Sequence, residues 1–109
     1  MNADIAVVGG GPAGLSAARV AGKLGFSVVV LEEGSAPGGR YYGPLTGRNA
    51  ARKQAESGMA LLAGAVQAGA RIITSAAVWN ATPIEGGFRI FVDGPGVDPV
   101  FESRAIVVA

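Results

Sequence analysis

Cysteine and histidine are both missing from the 109 residues. Without them there is no disulfide framework, no thiolate or imidazole metal site, no cysteine redox pair and no histidine general base. Charge of either sign is also sparse, with nine basic against eight acidic residues and a net charge of +1. No lysine run, basic stripe or aromatic interleaving occurs, which argues against nucleic acid as a partner. Arg19 and Lys23 interrupt the first apolar segment, so no stretch reaches the roughly 18 apolar residues of a membrane span. Met1 to Asp4 lead into the first apolar run without a basic region, and no secretory leader is expected. A soluble cytoplasmic protein is the default expectation.

What the chain has in abundance is small residues, 18 glycines and 20 alanines. That glycine share is well above the usual ~7% and suits tight turns and close packing. The length allows one small domain. Ile5-Ala6-Val7-Val8 is a short, non-alternating apolar run, the pattern of a strand buried on both faces. A helix is predicted over residues 12–24, opened by Pro12 and ended by Gly25, with Gly14, Ala18 and Ala21 on a flat face toward a sheet. Val28-Val29-Val30-Leu31 reads as a second buried strand, completing a βαβ unit. Residues 33–47 hold five glycines and two prolines and read as an irregular loop. Helical period returns over 48–68 with Ala51, Ala55, Met59, Leu62 and Val66 on one face. Gly69 ends it, and residues 71–74 form a third strand. Short segments at 77–81, 87–93 and 100–103 then read as an antiparallel meander, because Phe88, Ile90 and Val92 alternate with Arg89 and Phe91. Residues 105–109 give one more buried-strand pattern.

The chemistry-bearing residues lie in the first βαβ unit. Gly9-Gly10-Gly11-Pro12-Ala13-Gly14 satisfies Gly-x-Gly-x-x-Gly. In a dinucleotide site the first glycine permits the tight turn, the second lets backbone approach a pyrophosphate, and the third lets helix and sheet pack closely. Unpaired N–H groups at the helix start then receive the anion without a lysine. Glu32 ends the second strand, 23 positions after Gly9, where a carboxylate accepts hydrogen bonds from an adenosine ribose. Glu33 is the alternative for that contact, placed one residue into the turn. A phosphate-binding loop of the Gly-Lys-Ser/Thr type is excluded, since Leu15-Ser16 follows Gly14.

Residues 4–15, with Val29-Val30-Leu31-Glu32 and Pro37-Gly38-Gly39, resemble the amino-terminal segment of the glutathione-reductase-like (pyridine nucleotide-disulfide oxidoreductase) flavoproteins. Within that superfamily the sequence is most similar to the alpha-type subunits of opine oxidase, hydroxyproline dehydrogenase and sarcosine oxidase. The resemblance covers the whole chain. It implies an α/β fold, a Rossmann-like βαβ(αβ) parallel sheet with a three-stranded antiparallel meander at about 76–103, and 1–109 as a partial FAD-binding domain. FAD is the implied cofactor, with Gly9, Gly11, Pro12, Ala13 and Gly14 at its pyrophosphate and Glu32 (or Glu33) at its ribose. By the same resemblance Gly38 and Gly39 would let the next loop pass close to the cofactor. Arg40 would reach a phosphate or the flavin, and Ala77 and Val78 would meet the adenine. Trp79 reads as packing.

Two departures matter. Where disulfide reductases of the superfamily carry a redox cysteine, this sequence has Tyr41 and Tyr42, so disulfide reduction by this chain is excluded. No catalytic acid, base, nucleophile or metal ligand set is identified, and hydride chemistry belongs to the cofactor. Family enzymes are also several hundred residues long. The chain is therefore expected to be a piece of a larger FAD-dependent oxidoreductase. Its partner would be the rest of that flavoprotein or a complementary subunit, with self-association through the terminal strand as a further expectation. An NAD-binding domain using the same fingerprint, and a non-catalytic module keeping the nucleotide fold, stay open as alternatives.

Overall fold

The computed structural model describes residues 1–35 and 48–109, and the side chains of all of these except 48–57. The elements run β1 (Ala3–Val8), α1 (Pro12–Lys23), β2 (Val28–Leu31), α2 (Arg48–Gln67), β3 (Arg71–Ile73), β4 (Ala77–Ile84), β5 (Gly87–Asp93) and β6 (Val100–Val108). They form a mixed α/β fold with a six-stranded sheet in the order β3-β2-β1-β6-β5-β4. β3, β2, β1 and the second half of β6 are parallel. β5 joins the first half of β6, and β4 joins β5, both antiparallel. This is the Rossmann-like sheet with a meander that the sequence predicts.

β2 shows how the layers are built. All four of its side chains are buried. Val28 and Val30 pack with Val7, Leu15, Ala18 and Ala65 under the helices. Val29 and Leu31 pack with Ala6, Ile90, Val92 and Phe101 under the meander. A strand covered on both faces reads as an unbroken apolar run, because each face needs its own hydrophobic layer. Burying each such side chain stabilises by roughly 1.5–3 kcal/mol relative to exposure.

Both helices end as expected. At the end of α1, Phe26 N–H donates to Ala21 O and Gly25 N–H to Gly22 O; Ala70→Ala65 and Gly69→Val66 repeat the pattern after α2. At this same, amino-terminal end of the sheet, Asp4 and Ser27 clamp β1 to the start of β2. Ser27 N–H donates to Asp4 Oδ2 and Asp4 N–H to Ser27 Oγ, each at 2.8 Å.

Three expectations are corrected. Residues 100–103 and 105–109 are not two strands but the single strand β6, in which Ser103 pairs with Phe88 on one side and Ala3 on the other. Its second half is not buried on both faces, since Val107 and Val108 are exposed. On α2 the core-facing residues are Leu61, Leu62 and Ala65, while Met59 and Val66 point outward. The helix is turned so that its small residues meet α1: a methyl group on Gly22 would lie 2.5 Å from the Ala68 carbonyl oxygen. Ala51 and Ala55 lie outside the described side chains. Smaller shifts carry β4 on through Pro83 to Ile84 and end β3 at Ile73.

Candidate nucleotide-binding site

β1 runs out at Val8, and the chain must reverse within three residues to start α1. Gly9 takes φ +109°, a conformation rarely open to side-chain-bearing residues. Its N–H is held by Leu31 O at 2.9 Å. Gly11 is the N-cap, extended and with no side chain to close the helix end, and Pro12 opens the first turn. A methyl group on Gly14 would run into the carbonyl oxygen of Gly9 and meet Ala109 Cβ at 3.3 Å. Only glycine allows that approach of helix to turn, which is the role predicted for position 14.

The result is a helix end with donors to spare. Leu15 N–H makes the first bond into the turn, to Gly11 O at 2.9 Å. Among the described residues, the N–H groups of Gly11, Ala13 and Gly14 have no acceptor. The first turn of α1 holds no acidic residue and no side-chain cap, so nothing on the helix itself offsets its partial positive charge. Such an end is suited to a phosphate.

Glu32 follows β2 directly. Its backbone is fixed on both sides: its N–H donates to Ile73 O and its carbonyl accepts from Ala76 N–H, each at 2.8 Å. Its side chain turns over the glycine loop, where Oε2 accepts the Gly10 N–H at 3.3 Å. The partly buried carboxylate thus sits beside the helix end, with capacity left to accept further hydrogen bonds. Glu33 is exposed. Both acids line a cleft of about 230 Å³, together with Val8, Gly9, Ala76, Val78 and Ala109.

The structure therefore brings Gly9, Glu32, Glu33 and Val78 to one cleft at the carboxyl ends of β1, β2 and β6, while Gly11, Pro12, Ala13 and Gly14 open the helix that starts from it. Ala77 is the first residue of β4 and is not among the cleft walls. Gly38, Gly39, Arg40, Tyr41 and Tyr42 lie outside the described residues. Sequence reasoning missed the apolar walls Val8, Leu31, Ala76 and Val108. Their signal was available: strands on either side of β1 connect in opposite directions, and open α/β sheets bind ligands at such switch points.

Among the described residues no group of three or more acidic side chains is placed to hold a metal ion, and no helix is long and apolar enough to cross a membrane. The site offers hydrogen-bond donors, one well-placed carboxylate and apolar walls. These suit the pyrophosphate, ribose and base of an adenine dinucleotide, a match resting on the orphan N–H groups and on the space that Gly9 and Gly14 keep free of side chains.

Residues 7–79 match the NAD(P)-binding Rossmann-like domain family. Thiamine thiazole synthase of Pyrobaculum aerophilum is 32% identical, over 97% of this chain and 55% of that protein. Sarcosine oxidase subunit alpha of Rhizobium meliloti is 53% identical over 36 residues, 33% of this chain and 4% of that one. Among solved structures, T. acidophilum thioredoxin reductase superposes with a TM-score of 0.78 at 28% identity, over 97% of this chain and 34% of that one. The chain thus spans about half or less of the length of these relatives.

Proposed function

The chain belongs to the NAD(P)-binding Rossmann-like domain family, and from that premise we propose that it holds the ADP half of FAD in a flavin-dependent oxidoreductase. The carrying observation is the pairing of three N–H groups at the start of α1, which have no acceptor among the described residues, with the Glu32 carboxylate. Gly11, Ala13 and Gly14 hold the pyrophosphate, and Glu32 takes the ribose hydroxyls while keeping the Gly10 N–H. Val78 stands against the adenine. Glu33 is the second acid of the cleft, and Gly39 and Arg40 complete the cofactor side in this reading. The flavin itself supplies the redox chemistry. The chain's residues bind, orient and screen one end of it.

FAD is favoured over NAD by the Pro12-Ala13-Gly14 continuation and by the meander folded over the sheet. A ribose-facing carboxylate suits NAD as well, which keeps NAD as the second reading. Residues 1–109 form the adenosine-side part of the FAD domain, with the meander at about 76–103. The rest of a flavoprotein, or a complementary subunit, completes the site in a cytoplasmic enzyme.

Isothermal titration of the purified chain with FAD, ADP and NAD tests the reading. FAD and ADP are expected to bind with similar affinity, and Gly11→Val to abolish both through conflict with the pyrophosphate. Tighter binding of NAD than of FAD would replace the flavin reading, and binding of neither would leave a non-catalytic module.

A further inference from the structure

The nucleotide cleft continues beyond Val78. Val8, Val78 and Val108 are walls both of the cleft and of an apolar groove of about 510 Å³, which runs on along Trp79 and Phe88 to Ile106. Trp79 is the only tryptophan of the chain and is 66% exposed, a large apolar surface left in water.

Its position follows from a bulge. Between β4 and β5 the register passes from Val78–Val92 to Asn80–Phe91, leaving Trp79 without a partner. On a regular strand consecutive side chains point to opposite faces; a bulge re-aims them. Here both Val78 and Trp79 line the same groove. The indole leans on Phe91, ring centroids 5.3 Å apart and planes at 41°, so part of its rotamer freedom is spent before any ligand arrives.

We infer that Trp79 is a wall for the nucleobase, the bulge carrying its indole to the base end of the ADP moiety whose phosphates lie on α1 and whose ribose lies on Glu32. The inference rests on the nucleotide reading above and adds to it a residue that acts on the base alone. Val78 is the inner wall and Trp79 the outer one. The occupant is the planar base, because the groove opens from the cleft itself through three shared residues.

The sole tryptophan makes the test direct. Indole emission is followed while ADP is titrated, with ribose 5-phosphate and pyrophosphate as ligands that lack the base, and binding heat is measured in parallel. ADP is expected to quench the emission saturably, whereas the two baseless ligands displace ADP without a quench of their own. Trp79→Ala should weaken ADP binding about tenfold, in the range of base–aromatic stacking. Trp79→Phe, which keeps a ring over the base and against Phe91, should restore most of the affinity. Ribose 5-phosphate should bind all three proteins alike. ADP binding with unchanged emission and no loss in Trp79→Ala would overturn the role of Trp79 while leaving the nucleotide site standing. Absence of ADP heat in the unmodified chain would overturn both.

Discussion

At the scale of single residues, the two acids of the cleft divide by one backbone step. Glu32 is locked by backbone bonds to Ile73 and Ala76 and reaches Gly10 N–H, whereas Glu33 is exposed in the turn. A hydrogen bond to a charged group contributes roughly 1.5–3 kcal/mol. Glu32→Ala should therefore weaken ADP binding at least tenfold by calorimetry, and Glu33→Ala should leave it within about twofold. The position of Glu32 at the end of β2 is legible in the sequence, because it directly follows the apolar run Val28–Leu31. What no sequence pattern shows is the Gly10 contact or the bulge at Trp79. Both depend on a partner strand: β2 against β1 in the first case, β5 against β4 in the second. A single extra residue in a pairing leaves no mark on either strand alone.

Elements are held to one another at positions that their own periodicity does not single out. The Asp4–Ser27 clamp joins the starts of β1 and β2. Hydrogen bonding from Ser27, backbone first and side chain second, holds the Asp4 carboxyl below its ordinary value of 3.8, with Arg104 adding a smaller pull. A depressed carboxyl pKa stabilises the fold above the unfolded value and loses that contribution as pH falls through the folded one. Urea midpoints should thus fall as pH drops below about 4. Asp4→Asn should lower the midpoint slightly near neutrality and flatten its fall over that acid range; an unaltered acid limb would assign the fall to other carboxyls. The type and order of β1, α1, β2 and β3 are read correctly from apolar runs and glycine stops, although β1 begins two residues earlier, at Ala3, and β3 ends one residue earlier, at Ile73. α2 is placed correctly but its inner face is not. Met59 and Val66 fit the apolar period, yet the contact with Gly22 selects the smaller Ala65 and Ala68. β6 is split by the sequence reading because Ser103-Arg104 looks like an interruption. Ser103 is instead wholly buried, its Oγ donating to Ala105 O at 2.9 Å.

For the whole molecule, the open question is what lies along the outer side of β6. Beyond Ser103 that strand pairs with β1 alone, and among the described residues nothing pairs with its other edge. Val108 is 80% exposed. An apolar edge with free backbone groups is a template for another strand. The isolated chain should associate with itself as concentration rises in analytical ultracentrifugation, and Val107→Lys should shift it toward monomer. Association unaffected by that change would point to the exposed face of α1, where Val20, Leu24 and Phe26 line a second apolar hollow.

β6 has one further consequence. It is gripped at one end by β5 and at the other by β1. Just past its end, Ala109 N–H donates to Val8 O, and Ala109 stands against the glycine turn, within 3.1 Å of where a Gly9 methyl would be. The strand is therefore a connecting rod between the meander and the turn that feeds the helix end. Nine residues of extended backbone thus tie the outer hairpin directly to the turn whose N–H groups face the nucleotide cleft.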